Sequence, residues 1–141
     1  MNFTVGQTVT KSYRFDDTTI IAYATMAGDQ NALHHDATAA GASRFKGLIA
    51  CGSHMSGVLM GFGASIVSRD HLAVGLEFTF RFGRAIPAGT DTILSWTVTL
   101  AKPHAKLGGT MVEMDGAITG LEGKRYVSST GRAVVWDFEA A

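Results

Sequence analysis

The chain reads as an α+β domain in which one long central helix is wrapped by an antiparallel β-sheet, and three observations carry that expectation. Helical signals gather in the first half and strand signals in the second, the segregated order of α+β proteins rather than the alternation of βαβ units. Met55, Val58, Leu59, Phe62 and Ile66 recur at the spacing of a helix with one buried stripe. Four later segments are rich in Val, Thr, Ile and aromatics and are parted by turns such as Ile86-Pro87-Ala88-Gly89.

At 141 residues the chain suits a single domain, 1–141, able to bury roughly 70% of its unfolded surface without disulfide or metal staples. Thr8 to Tyr13 alternates as a short strand. Asp16 or Asp17 then caps a helix running through about Ala27, with Gly28 as its stop. Asp29 to His34 therefore falls in a loop just beyond a helix. The Ala-rich stretch Asp36 to Ser43 predicts a short helix, and the central helix begins at Gly52. Gly57, Gly61 and Gly63 lower its helix propensity, which predicts a close approach by another part of the chain, sheet backbone in the simplest reading. Strands are expected over Leu72–Phe82, Thr92–Leu100, Thr110–Thr119 and Arg125–Phe138. In the first of these, Leu76, Phe78, Phe80 and Phe82 share one face and Glu77, Thr79 and Arg81 the other. The phenylalanine stripe, Trp96 and Trp136 are assigned to the core.

Twelve basic and twelve acidic residues cancel, and no basic run exceeds Lys124-Arg125, so the chain offers no electrostatic footprint for nucleic acid or an anionic membrane. A single Cys51 excludes an internal disulfide and suits a reducing compartment. Met1 to Tyr13 lacks the charged-then-apolar layout of a signal peptide, and no apolar run approaches the roughly 20 residues of a spanning helix. A cytoplasmic protein with neither nucleic-acid nor membrane partners is expected.

Two stretches carry the chemistry. Gly28-Asp29-Gln30-Asn31-Ala32-Leu33-His34 sets a carboxylate, an amide and an imidazole close together after a helix, and Ser43-Arg44-Phe45-Lys46-Gly47-Leu48-Ile49-Ala50-Cys51-Gly52 leads into the Gly-rich central helix. Asp29 and His34, with reference pKa values of about 3.9 and 6.5, can share a water in one pocket, and Asn31 can orient one of them through its amide. The start of the central helix supplies free N–H groups and a favourable dipole for developing negative charge, with Gly52 at that point; Gly52 also reads as a plain flexible helix start.

Together these stretches resemble the signature of the MaoC-like (R)-specific enoyl-CoA hydratases, which adopt the hotdog fold. The resemblance runs from about Phe15 to Gly63. It implies a hydratase or dehydratase interconverting trans-2-enoyl and (R)-3-hydroxyacyl thioesters, with Asp29 and His34 as the acid/base pair and the Gly52 N–H in the oxyanion hole. Asn31 and Ser56 are implied on the substrate side, although a helix serine also bonds its own backbone. Coenzyme A is implied as the carrier, with acyl carrier protein second, in a homodimer or higher oligomer whose sheets join edge to edge. No cofactor or metal is implied, coenzyme A entering as part of the substrate. Three positions depart from the pattern: Ala32 stands where the family has proline, Cys51 where it has histidine, and Lys46-Gly47-Leu48 where it has Gly-Gly-Pro.

Other readings stay open at this stage. His35 is expected at the surface or as a helix cap, and adjacent histidines without an i, i+4 partner match no usual zinc spacing. His54 either lines the pocket or faces the sheet. Arg44 and Lys46 are candidates for coenzyme A phosphates or simply solvated charges. Cys51 reads as a small buried residue, with a thiol nucleophile as its rival. A hotdog acyl-CoA thioesterase and a non-catalytic acyl-binding or stabilising subunit are the alternative functions.

Overall fold

The computed structural model describes residues 2–140, so Met1 and Ala141 lie outside it. The order is β1 (Thr8–Phe15), α1 (Asp17–Ala27), a 3-10 turn (Ala32–His34), α2 (Ala37–Ala42), α3 (Gly52–Val67), then β2 (Leu72–Phe82), β3 (Thr90–Pro103), β4 (Thr110–Gly120) and β5 (Arg125–Trp136), followed by a 3-10 turn (Phe138–Ala140). The five strands form one antiparallel sheet in the order β1-β3-β4-β5-β2. The sheet curls around α3, and the core lies between them.

Local chemistry sets the helix ends. Asp16 caps α1 by accepting from the Thr19 N–H at 2.7 Å, and Gly28 ends it in the left-handed region at φ 73°, a conformation that glycine adopts without a Cβ clash. The Asp29 N–H then bonds the Ala24 carbonyl at 2.9 Å. Asp29 is thereby fixed to the last turn of α1.

The glycines of α3 make room for side chains, not for sheet backbone. A Cβ on Gly57 would lie 1.8 Å from the Tyr23 hydroxyl, and one on Gly63 would lie 2.9 Å from the Trp96 indole nitrogen, whereas Gly61 faces nothing within 4 Å. Trp96 is the wedge between helix and sheet: it is 1% exposed, its Nε1–H donates to the Leu59 carbonyl at 2.8 Å, and Gly116 of β4 lies beneath its ring. Burying an indole of about 200 Å² is worth about 5 kcal/mol gross. Trp136, by contrast, lies outside the core and donates to the Leu107 carbonyl at 3.1 Å: Val135 before it points into the core, and strand alternation turns Trp136 to the other face.

The β2 face also differs from simple alternation. A register shift between Gly75 and Glu77 leaves Leu76 as the extra residue of a bulge, so it drops off the Phe78-Phe80-Phe82 face and is 42% exposed. Phe78 and Phe80 pack on the core, but Phe82, the last residue of the strand, is 48% exposed.

His54, in the first turn of α3, faces the sheet at its β1 edge, against Tyr13 and Phe15. It is fully buried among β1 and α1, stacked on Tyr23 with ring centroids 4.6 Å apart, close to Phe15, and its Nε2 shares a 2.8 Å hydrogen bond with the Tyr13 hydroxyl. Nδ1 has no partner among the described residues. Burial pushes its pKa down to about 4, against an opposing pull from Asp16. Between the unfolded value of about 6.5 and this folded value, the unfolded chain binds the extra proton, so stability is complete above the upper limit and falls as pH drops, by about 3 kcal/mol at most. Urea midpoints measured from pH 7 to pH 5 should therefore fall more steeply for the natural chain than for His54→Leu; equal slopes would show that His54 is not buried neutral.

Candidate active site

The Asp29 to His34 segment is a loop closed by its own hydrogen bonds. The Asn31 N–H donates to Asp29 Oδ1 at 3.0 Å, and Asn31 Oδ1 accepts from the Leu33 N–H at 3.1 Å, capping the 3-10 turn. The turn carries His34 inward, where it is 6% exposed. Its Nε2 then faces Asp29 Oδ2 at 3.6 Å.

What holds the imidazole is the peptide of Ile49. His34 Nδ1 lies 2.8 Å from the Ile49 carbonyl, and the Ile49 N–H donates to the Leu33 carbonyl at 3.1 Å, so one residue grips the turn from both directions. A carbonyl only accepts, so Nδ1 carries the proton, and the neutral ring keeps its lone pair on Nε2, toward Asp29. The same segment is held on its far side, where Ala50 N–H bonds Ile86 O at 3.0 Å and Ala88 N–H bonds Leu48 O at 2.9 Å. Three residues after Ile49, α3 begins.

The α3 start is uncapped by any side chain. Cys51 is buried and its Sγ lies 3.3 Å from Ser53 Oγ; the Cys51 carbonyl takes the His54 and Met55 N–H groups. Among the described residues, the Gly52 and Ser53 N–H groups have no acceptor, leaving the positive end of the helix dipole with two free donors. A Cβ on Gly52 would meet the Phe82 ring at 3.5 Å, an ordinary contact. Packing alone does not demand glycine there.

The structure thus brings together Asp29, His34 and, through Ile49, the chain leading to Gly52. Asn31 acts through its backbone N–H and as a turn cap; its side-chain amide is not bonded to Asp29 or His34. Ser56 is not drawn in: its hydroxyl donates to the Ser53 carbonyl of its own helix at 3.3 Å. His35 is half-buried rather than a surface residue, and it is the C-cap of the 3-10 turn, its N–H donating to the Ala32 carbonyl. Asp36 caps α2, accepting from Thr38 and Ala39 N–H, while half-buried His35 donates from Nε2 to the Asp29 carbonyl. Sequence reasoning missed Ile49 because it works through its peptide, and His35 because a pair of adjacent histidines does not show which turns back.

Among the described residues no group of His, Cys, Asp or Glu is arranged to hold a metal ion, and no helix is long and apolar enough to cross a membrane. An apolar cavity of about 240 Å³ lies further along α3, lined by Met60, Gly63, Ala64, Phe78, Trp96 and Val112 among others.

A family model described as the MaoC like domain matches residues 2–110, from before β1 to the first residue of β4 and so across the dyad and α3. The chain belongs to the MaoC-like domain family. Solved structures extend the likeness to nearly the whole MaoC-like chain. The unliganded R-hydratase PhaJ1 from Pseudomonas aeruginosa superposes with a TM-score of 0.79 at 23% identity, covering 95% of this chain and 83% of that one. The (R)-hydratase from A. caviae involved in PHA biosynthesis gives 0.82 at 20%, over 96% and 99%. The ChsH1-ChsH2 complex from Mycobacterium tuberculosis gives 0.82 at 18%, over 96% and 100%. At these identities the likeness establishes the hotdog fold. None of the curated protein sequences compared with the chain matches it.

The Ile49 contact makes a direct prediction about His34. In ¹⁵N-edited spectra the neutral form of His34 should show the Nδ1–H tautomer; the Nε2–H form would remove the free lone pair facing Asp29.

Proposed function

We propose that this MaoC-like domain adds water across trans-2-enoyl thioesters to give (R)-3-hydroxyacyl thioesters, or runs the reverse dehydration. The observation that carries the reading is the Asp29 Oδ2 to His34 Nε2 approach of 3.6 Å, with Nδ1 tied to Ile49. That gap is too long for a good direct hydrogen bond and lets one water touch both groups. As the water oxygen bonds to C3, Nε2 is the nitrogen able to take its proton, while Asp29 orients the other O–H; the pair then returns a proton to C2. The enolate-like oxygen formed on the thioester is met by the free N–H groups at Gly52 and Ser53. Reversal exchanges the roles of the same groups.

Coenzyme A is the proposed carrier, with acyl carrier protein second, and exposed Arg44 and Lys46, on the segment between α2 and Ile49, are candidates for its phosphates. The addition calls for no redox cofactor or metal. Met60, at the near end of the apolar cavity, is eight positions from Gly52, about 12 Å along the helix, a length suited to an acyl tail. A homodimer through β2 accords with that strand's open edge and its exposed Leu72, Val74, Leu76 and Phe82. The single cysteine suits the cytoplasm.

Thioesterase activity is the rival enzyme reading. A non-catalytic subunit is the other, and it gains interest because the similar structures include the ChsH1-ChsH2 and HadBC complexes. Loss of enoyl absorbance with short, medium and long enoyl-CoA tests the proposal directly. Asp29→Asn and His34→Ala should each lose at least about 10²-fold in rate with unchanged circular dichroism. Free thiol released from saturated acyl-CoA would point to the thioesterase; turnover only after adding a partner subunit would point to the non-catalytic role. Light scattering should find two or more copies, and a monomer would remove the β2 interface.

A further inference from the structure

Asp29 has four polar handles, and three are held from its own neighbourhood: its N–H by the Ala24 carbonyl, Oδ1 by the Asn31 N–H, and Oδ2 facing His34. The fourth, its carbonyl, is taken by the His35 side chain from six positions away. His35 is the C-cap of the 3-10 turn, with φ −128° and ψ −38°, a φ outside the helical range, so the turn does not run on into α2. Its ring reaches back across the loop to the Asp29 carbonyl. Among the described residues, the other contact that spans the loop is the 3.6 Å approach of His34 Nε2 to Asp29 Oδ2. No residue from 29 to 35 is proline, so no ring fixes a backbone angle, and the remaining bonds span two or three residues each.

We infer that His35 is a positioning residue: its Nε2–H closes residues 29–35 into a ring and holds the Asp29 carboxylate opposite His34. The inference rests on the hydratase reading for its kinetic consequence, though not for its structural one. A carbonyl accepts in any protonation state, and the bond needs a proton only on Nε2, which both the cation and one neutral tautomer supply. Losing it frees the Asp29–Gln30 peptide, with the Asp29 N–H still held by Ala24 and His34 still gripped by Ile49. The expected signature is a fall in kcat with little change in KM, since no group that would touch substrate is removed.

The backbone also offers a way to replace the bond. Ala32 opens the 3-10 turn, its N–H has no acceptor among the described residues, and the preceding Asn31 is extended, at φ −61° and ψ 123°. Proline suits each of these conditions, because it needs no N–H, sets the φ of a first helical residue and asks for an extended predecessor. Ala32→Pro should therefore stiffen the same loop by a different route.

The experiment is a cycle of His35→Ala, Ala32→Pro and the double variant, with His35→Gln as the donor-retaining control. Two readouts are taken: crotonyl-CoA hydration, and hydrogen exchange of the Asn31 amide, which reports the Asp29 Oδ1 bond whether or not the protein is a hydratase. His35→Ala should lower kcat by about 10-fold to 10²-fold with KM within about twofold, and should speed Asn31 exchange. His35→Gln should recover part of both, and Ala32→Pro should restore more rate in the His35→Ala background than it gives the natural chain. Unchanged Asn31 exchange in His35→Ala, or equal effects of Ala32→Pro in both backgrounds, overturns the inference. If the natural chain hydrates nothing while exchange responds as expected, the hydratase reading fails and the positioning role stands.

Discussion

The peptide of Ile49 is the constraint on which the site depends. Its carbonyl accepts from His34 Nδ1–H and its N–H donates to the Leu33 carbonyl, so the two peptides that meet at one Cα fix both the position and the tautomer of the imidazole. Each bond is worth about 1 kcal/mol net, but leaving a buried donor or acceptor unpaired costs more, about 1–3 kcal/mol. The alternative tautomer would set a lone pair against a carbonyl. That the free nitrogen of His34, Nε2, faces Asp29 is thus set by a backbone group in a different segment.

That segment is in turn held by the way α3 meets the sheet. Trp96 fixes the middle of the helix by packing against Gly63 and bonding Leu59, and the first turn is locked sideways by the cage of Tyr13, Phe15 and Tyr23 around His54. Both ends of this arrangement rely on glycine at a contact point. The helix gives up propensity at Gly57 and Gly63, about 1 kcal/mol each relative to alanine, and gains aromatic rings that a Cβ would exclude. A rigid α3 is what makes its uncapped N-terminus a fixed feature rather than a fraying end.

Family membership and geometry speak to different questions. The match over residues 2–110 and the superpositions on hydratases and on the ChsH1-ChsH2 complex establish ancestry and fold, and one fold carries both enzymes and other functions. Catalysis is a proposal that rests on the residues present: a carboxylate and an imidazole lone pair that face each other, and helix donors left free at the start of α3. The substitutions at 32 and 51 leave those groups in place. At position 51 the side chain is a buried thiol that touches only Ser53 among polar groups.

The sequence by itself determined the local elements and some of their ends, while β3 runs on to Pro103 and β5 stops at Trp136, before the expected Phe138. Asp16 and Gly28 bound α1, the stripe from Met55 to Ile66 marks α3, and Leu72 to Phe82 is a strand from first residue to last, because capping, φ preference and apolar periodicity act over a few residues. It also determined which side chains could carry acid/base chemistry. Only the tertiary structure decided that Nε2 of His34 is the free nitrogen, that His35 folds back on Asp29, that the α3 glycines admit Tyr23 and Trp96, and that Leu76 leaves its face at a bulge. Those outcomes turn on peptides and rings brought together from distant parts of the chain, and no local pattern encodes such a meeting.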